Sequence, residues 1–286
     1  MGLEWLTAMF SLRPARVDVW RKYERLHERV AGTMSQFYKV RDKATGEVFG
    51  LKVIDPEKLA PVESRYKSLG KPSEAEISRL IVGPNIVRTL DSGTTVDGRP
   101  FIVQEFIDGM LLQALIAAKK PLPPAQRIDL VRQAAAAIGS VHKAGFVHRD
   151  ICPRNFIVQP SGRLVLFDFG LTVPDKPAFL QPGNRVGTPN YLAPEVVRRQ
   201  QADKRLDLFS FGATAYEICT LDLPWQRGST GKAAMTHDSA QTDIRGKWPE
   251  IPEPLAAAIM ACLAPDPAKR PATADAFLGM IRSVPG

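Results

Sequence analysis

Cysteine is scarce in this sequence: Cys152, Cys219 and Cys262 are its 3 copies among 286 residues, far apart and with no C-x-x-C pair. Such spacing indicates neither a zinc site nor a disulfide framework, and it fits a reducing, cytoplasmic setting. Long apolar runs are missing too, since no segment approaches the roughly 20 residues that a membrane-spanning helix needs. Residues 1–22, MGLEWLTAMFSLRPARVDVWRK, begin with an apolar run. They lack a basic n-region and include Glu4, so they make a poor signal peptide. A myristoylation pattern wants Ser or Thr at the sixth position, where this chain has Leu6, with Thr7 one step late. No aromatic-plus-basic array of the kind that binds nucleic acid occurs. The net charge of +8 and pI of about 9.5 come from scattered residues, except near Arg13–Arg29. We read that charge first as solvated surface and second as weak attraction for acidic partners or membranes.

What is present is concentrated in Phe146–Gly170, FVHRDICPRNFIVQPSGRLVLFDFG. Two aspartates and an asparagine each sit on a short turn between apolar runs, an arrangement that can hold metal ions and a reacting hydroxyl at fixed spacing. Either tripeptide alone, His148-Arg149-Asp150 or Asp168-Phe169-Gly170, reads as a turn and a core histidine. In this order, with Asn155 between them and the apolar run Leu164–Phe167 before Asp168, they match H-R-D-x-x-x-x-N and D-F-G. On these residues the chain resembles the eukaryotic-like Ser/Thr protein kinases, which also occur in bacteria. The resemblance runs from about Tyr23 to Ile281. It implies an α+β, bilobal protein-kinase fold: an N-lobe antiparallel β-sheet plus helix C at about 23–104, and a mainly α-helical C-lobe at about 108–283. Residues 1–22 would be an amphipathic extension docked on the smaller lobe.

The resemblance also assigns roles. Phosphoryl transfer needs positioning and charge neutralisation more than covalent chemistry. Asp150 would accept or orient the proton of the attacking hydroxyl, while Asn155 and Asp168 would offer oxygen ligands to Mg²⁺. The family usually carries a Lys two residues after the catalytic Asp, and here that position is Cys152. Arg154 stands where Tyr kinases carry an Arg, so it either replaces the missing charge or points to solvent. The phosphate-covering loop aligns with Val30-Ala31-Gly32-Thr33-Met34-Ser35-Gln36-Phe37, which keeps only the middle glycine. Gly32 and Thr33 would present backbone N–H groups to phosphate, and Phe37 is bulky where Val usually touches adenine.

Lys52, in Phe49–Ile54, matches the strand-three lysine that grips the α- and β-phosphates. Its partner would be Glu74, with Ile77 and Ile81 on the same helical face, or else Glu76; spacing from Pro84 favours Glu74. The segment Asp55–Pro72 reads as a loop or a short extra helix. Gln104–Gly109 resembles the hinge, where backbone groups of Glu105 and Ile107 would pair with adenine and Ile157 would pack beneath it. Pro124–Lys143 reads as a long helix from its apolar positions at spacings of three and four, stopped by Gly145. Gly187–Glu195 resembles the Ser/Thr-kinase G-T-x-x-Y-x-A-P-E platform, with Thr188 bonded to Asp150. Between Val173 and Gly187 there is no Ser, Thr or Tyr, so activity should not depend on phosphorylation there. Asp207 would start a buried helix and tie down the catalytic loop, and Arg270 would pair with Glu195. Arg227–Trp248 is polar and without clear period.

The implied activity is ATP- and Mg²⁺-dependent phosphorylation of Ser or Thr in protein substrates. The alternatives are a pseudokinase or nucleotide-binding scaffold, favoured by the degraded glycine loop, and small-molecule phosphotransfer, opposed by the Thr188–Glu195 platform. No motif bears on oligomeric state.

Overall fold

A computed structural model describes residues 16–27, 30–32, 34–183, 185–225, 237 and 241–285. Residues 1–15 of the extension, Thr33 and much of Arg227–Trp248 lie outside the described residues. The chain divides into two compact units, residues 1–70 with 88–106 and residues 71–87 with 107–286. The segment carrying Glu74 therefore groups with the second unit, not with the first as the sequence suggested. The reason is local bonding. Val87 N–H donates to Leu166 O (3.0 Å), Leu166 N–H to Asn85 O (2.8 Å), and Asn85 Nδ2 to Leu164 O (2.8 Å) and Gln133 Oε1 (2.7 Å).

The first unit is built on an antiparallel sheet of β1 (Tyr23–Arg25), β2 (Val30–Ala31), β3 (Ser35–Asp42), β4 (Val48–Ile54), β5 (Thr89–Thr94) and β6 (Pro100–Glu105). The order is β1-β3-β4-β6-β5, with β2 also on β3. Asp42 makes the β3–β4 turn by accepting from the N–H of Ala44 and Thr45, and Gly46 takes φ +76°, which its missing Cβ permits. Side chains alternate faces along a strand. One face presents Tyr38, Val40, Leu51, Val53, Phe101 and Val103, which cluster with Val19 and Tyr23. The described part of the extension closes this face: Asp18 caps helix α1 (Val19–Lys22), and Trp20 packs edge-on against Tyr38 at 4.9 Å. Val17 pairs with the end of β5 through Val17 N–H to Thr94 O (2.8 Å) and Val96 N–H to Val17 O (3.1 Å). After β4, Asp55 caps helix α2 (Pro56–Glu63), with Pro56 in the first turn where a missing N–H costs nothing. That is the extra-helix option for Asp55–Pro72.

The second unit opens with α3 (Glu74–Leu80), capped by Ser73. Short β7 (Met110–Leu111) and α4 (Leu112–Ala117) lead to α5 (Pro124–Lys143), where Ile128, Val131, Ala135, Ile138 and Val141 are buried as their spacing requires. Gly145 ends it at φ +83°. Then come β8 (Phe146–Val147), β9 (Phe156–Val158), β10 (Leu164–Leu166), β11 (Val173–Pro174), α6 (Pro194–Val197), α7 (Arg205–Thr220), α8 (Glu253–Cys262) and α9 (Ala274–Met280). Residues Leu206–Cys219 of α7 are all buried, so this helix is the axis of the unit. No helix among the described residues is long and apolar enough to cross a membrane.

Candidate active site

The catalytic loop hangs from one carboxylate. Asp207, in the first turn of α7, is completely buried. Its Oδ1 accepts from Arg149 N–H (2.8 Å), and its Oδ2 from His148 N–H (2.8 Å) and His142 Nε2–H (2.9 Å). Burial alone would raise the Asp207 pKa, but these donors outweigh it and hold it below the ordinary value. Arg149 sits at φ +71°, unfavourable for a side chain with a Cβ, and the bond to Asp207 holds it there. Burial lowers the His148 pKa, and the neutral ring accepts Asp150 N–H at Nδ1 (3.3 Å) while lying edge-on to Phe169.

Asp150 is next on the loop, and four N–H and O–H donors fix its carboxylate, with the Cys152 thiol 3.9 Å from Oδ1. Oδ1 accepts from Thr188 N–H (2.8 Å) and Thr188 Oγ1–H (2.6 Å). Oδ2 accepts from Arg154 Nη2 (2.9 Å) and Asn155 Nδ2 (3.0 Å). Gly187 makes the Thr188 approach possible: at φ +120°, a Cβ there would lie 2.6 Å from Arg149 O. Cys152 lies 3.4 Å from Thr188 Oγ1, and burial next to Asp150 pushes its thiol up to about 12, so it stays neutral near pH 7. Arg154 does not simply point to solvent. Half-exposed, it forms an ion pair with Asp150, which outweighs partial burial and raises its pKa.

The β9–β10 hairpin brings the proposed metal ligands to one end. Its register pairs Phe156 with Leu166, so Asn155 before β9 and Asp168 after β10 leave at the same side, and Phe167 N–H to Asn155 O (3.0 Å) extends the ladder. Asn155 Nδ2 spends itself on Asp150 O (2.7 Å) and Oδ2, which turns its amide oxygen away from Asp150. Asp168 takes φ +66°, and its Oδ1 accepts Gly170 N–H (3.2 Å). An amide oxygen plus a carboxylate is a hard donor set that fits a divalent cation completed by phosphate and water. Among the described residues no three His, Cys, Asp or Glu side chains gather to hold a metal alone.

Glu74 is buried and shares the surroundings of Gly170, where a Cβ would meet Asp168 Oδ1 at 3.3 Å and Glu74 Oε2 at 3.4 Å. Glu76 is engaged elsewhere. Its carboxylate accepts Ser73 N–H (2.7 Å) and Ser73 Oγ–H (2.8 Å), which lowers its pKa and closes a capping box. That S-x-x-E signal was present in the sequence and separates the two glutamates. Further out, Arg270 donates to both oxygens of Glu195 (2.7 Å each) and to the carbonyls of Ala264, Arg205 and Pro265. Asp175 pairs with Lys204 (3.7 Å), and Arg185 Nε donates to Val197 O (2.9 Å). His142 and Lys204 had no role in the sequence reading, because their partners lie far along the chain.

Lys52, Gly32 and Glu105 belong to the first unit. Lys52 is buried on β4, with Phe37 and Ile102 as cross-strand partners. Gly32 is exposed and its N–H donates to Ser35 O (2.9 Å). Glu105 exchanges bonds with Arg88: its N–H donates to Arg88 O (3.0 Å), and its Oε1 accepts Arg88 N–H (2.9 Å). Ile107 (buried) and Ile157 (half-buried) lie in the second unit.

The loop immobilises one aspartate beside an asparagine, and a second aspartate leaves the same end of the β9–β10 hairpin. Comparison with known proteins names the family: the protein kinase domain matches residues 23–279, and the chain belongs to that family, with its α+β fold. Its relatives include serine/threonine-protein kinase pkn3 of Myxococcus xanthus, 29% identical over 267 residues, covering 88% of this chain and 48% of that protein. PrkC of Bacillus subtilis is 32% identical over 204 residues, covering 71% and 31%. PknB of Mycobacterium leprae is 31% identical over 211 residues, covering 72% and 33%. The chain thus spans about a third to a half of the length of these bacterial Ser/Thr kinases.

Proposed function

We propose that the chain is a protein serine/threonine kinase that transfers the γ-phosphate of ATP to Ser or Thr hydroxyls of protein substrates. The observation that carries this is the four-donor clamp on Asp150. Donors at both oxygens hold the carboxylate in one orientation, as a group that orients an attacking hydroxyl requires. Asn155 and Asp168 would hold Mg²⁺, which when bound neutralises charge on the phosphates. Lys52 would meet the α- and β-phosphates, Glu74 would orient Lys52, and N–H groups near Gly32 and Thr33 would cover the phosphates. Glu105 spends its N–H on Arg88, so its adenine contact falls to its carbonyl; Ile107 and Ile157 would complete the base site. Cys152 is neutral and can supply no charge to the transferring phosphate, whereas Arg154 is a permanent cation hydrogen-bonded to Asp150. Arg154 therefore takes the place of the family's lysine.

The test is transfer of labelled γ-phosphate, with Mg²⁺, to the protein itself and to a generic protein substrate. Asp150→Asn should lower label on Ser and Thr by about 10²–10⁴-fold. Equal background label in both proteins would instead favour the scaffold reading that the single-glycine loop suggests. Regulation follows from the same region. Asp175–Lys204 and Arg185–Val197 fasten a segment that has no phosphate acceptor from Val173 to Gly187. Phosphatase treatment should leave the rate unchanged, and an essential phosphosite mapped to that segment would contradict this.

A further inference from the structure

The stretch on either side of Thr188 carries charge of one sign. Between Lys176 and Ala202 there are four cations, Lys176, Arg185, Arg198 and Arg199, and one carboxylate, Glu195. Glu195 is buried against Arg270, whereas all four cations are exposed. The bordering carboxylates are paired as well, Asp175 with Lys204 (3.7 Å) and Asp203 with Arg205 (2.6 Å). Three of the cations are gathered at one end of α6. Arg185 donates from Nε (2.9 Å) and from Nη2 to the carbonyl of Val197, the last residue of that helix, and Arg198 and Arg199 follow directly. A carbonyl positions the Arg185 guanidinium without cancelling its charge. Arg199 takes φ +58°, where a helix end more often carries Gly, and its side chain has no hydrogen bond or ion pair among the described residues. A face that only needed to be solvated would interleave both signs.

Thr188 fixes where this cluster lies relative to the chemistry. Its N–H (2.8 Å) and hydroxyl (2.6 Å) both bond to Asp150. Arg185 is three residues earlier, so the Cα atoms of Arg185 and Thr188 are within roughly 10 Å of each other. A substrate chain extended from a hydroxyl at Asp150 covers about 3.3–3.6 Å per residue, which brings residues about three to five positions away level with Arg185. We propose that Arg185 and Arg199 read acidic residues flanking the acceptor, so that the substrates are proteins with Asp or Glu about three to five residues from the phosphorylated Ser or Thr. The proposal rests on the kinase reading above and names its substrate class. Arg154, the cation beside Asp150, is held by that carboxylate and leaves the flanking contacts to these two arginines. A guanidinium matches a carboxylate in shape as well as in charge. The net charge of +8 draws acidic chains from further away and turns basic ones aside.

The experiment is steady-state kinetics on matched Ser peptides whose flanking positions carry Glu, Gln or Lys. It compares the wild type with Arg185→Gln, Arg185→Lys, Arg199→Gln and the double Gln variant. Gln at residue 185 keeps a donor for the Val197 carbonyl and removes the charge, whereas Lys keeps the charge. The wild type should favour the Glu peptide over the Gln peptide by about tenfold in kcat/KM, with the Lys peptide last. Each Arg→Gln change should cut that preference by about two- to fivefold, through KM with kcat unchanged, and Arg185→Lys should retain it. Raising salt from about 0.1 to 1 M shortens the screening length from about 10 to 3 Å and should erase most of the preference. Should Arg185→Gln fail to fold, Arg199→Gln carries the test alone. Equal rates on the Glu and Gln peptides, a preference that survives the double variant, or an equal loss on both peptides would each overturn the acidic reading and leave the kinase reading intact. No label in any peptide or in the wild-type protein itself would overturn the kinase reading and this proposal with it.

Discussion

The catalytic frame of the second unit and the Lys52 face of the first unit are built on different physical terms. In the frame, three buried charged groups each have several partners of fixed identity: three donors on Asp207, four N–H or O–H donors on Asp150, and five bonds from Arg270. Changing one residue there leaves a buried donor or acceptor unpaired, at about 1–3 kcal/mol for each group. On the sheet face the decisive contact is one of shape, the Phe37 ring against the missing side chain of Gly50. Shape constrains the sum of two volumes and not each residue alone. A chain can therefore hold its frame to the family pattern while its glycine loop and sheet face move away from it, provided the sheet residues move in pairs.

If this contrast holds, damage to the frame should cost stability or rate outright. The largest effect should come from Arg270→Ala, which strands Glu195 in the core and should cost about 3–5 kcal/mol, read by denaturant unfolding. A loss below 1 kcal/mol would mean that the pair is not integral to the frame. Arg154→Ala should be more selective: about a hundredfold slower transfer, with little loss of stability because the Arg154 side chain is half-exposed and buried Asp150 keeps its donors from Thr188 and Asn155. An unaltered kcat would return the compensating charge to some other group. The smallest effect is a pH dependence. Burial holds the His148 pKa below its usual value of about 6.5. Its contribution to stability is therefore complete above that value and is lost as pH falls towards the lowered folded pKa, because the unfolded chain then binds a proton the folded one does not. Between pH 7 and pH 5 the wild type should lose about 2–4 °C more in Tm than His148→Tyr; parallel slopes in the two proteins would remove His148 from the pH dependence.

Most of the frame was legible because its residues are close in sequence or keep a helical period. The Pro124–Lys143 helix follows from apolar spacing, and the Asn155–Asp168 end from two short apolar runs that must form a hairpin. The capping role of Glu76 was legible as well, in the Ser73-x-x-Glu76 pattern that forms the capping box. What stayed hidden needed long-range contact. His142 and Asp207 are 65 residues apart, and nothing local marks the histidine as a donor. Phe37 showed in sequence only as bulk, and its seat against Gly50 on the neighbouring strand needed the structure. His237, surrounded in sequence by polar residues, is buried with its ring 4.2 Å from that of Trp225 and Nδ1 2.6 Å from Leu192 O. No period in Arg227–Trp248 announces it.

The pairing of Val17 with the end of β5 has a consequence for handling the protein. A strand at the rim of a sheet is a template on which another chain can grow, and proteins that stay in solution cover or interrupt such rims. Here Val17 occupies part of that rim, while Val19 and Trp20 shield the apolar cluster beside it. A fragment cut at Tyr23, where the family match begins, would keep every candidate site residue and still bare both surfaces. Its expected failing is self-association and precipitation, with the chemistry of the site untouched.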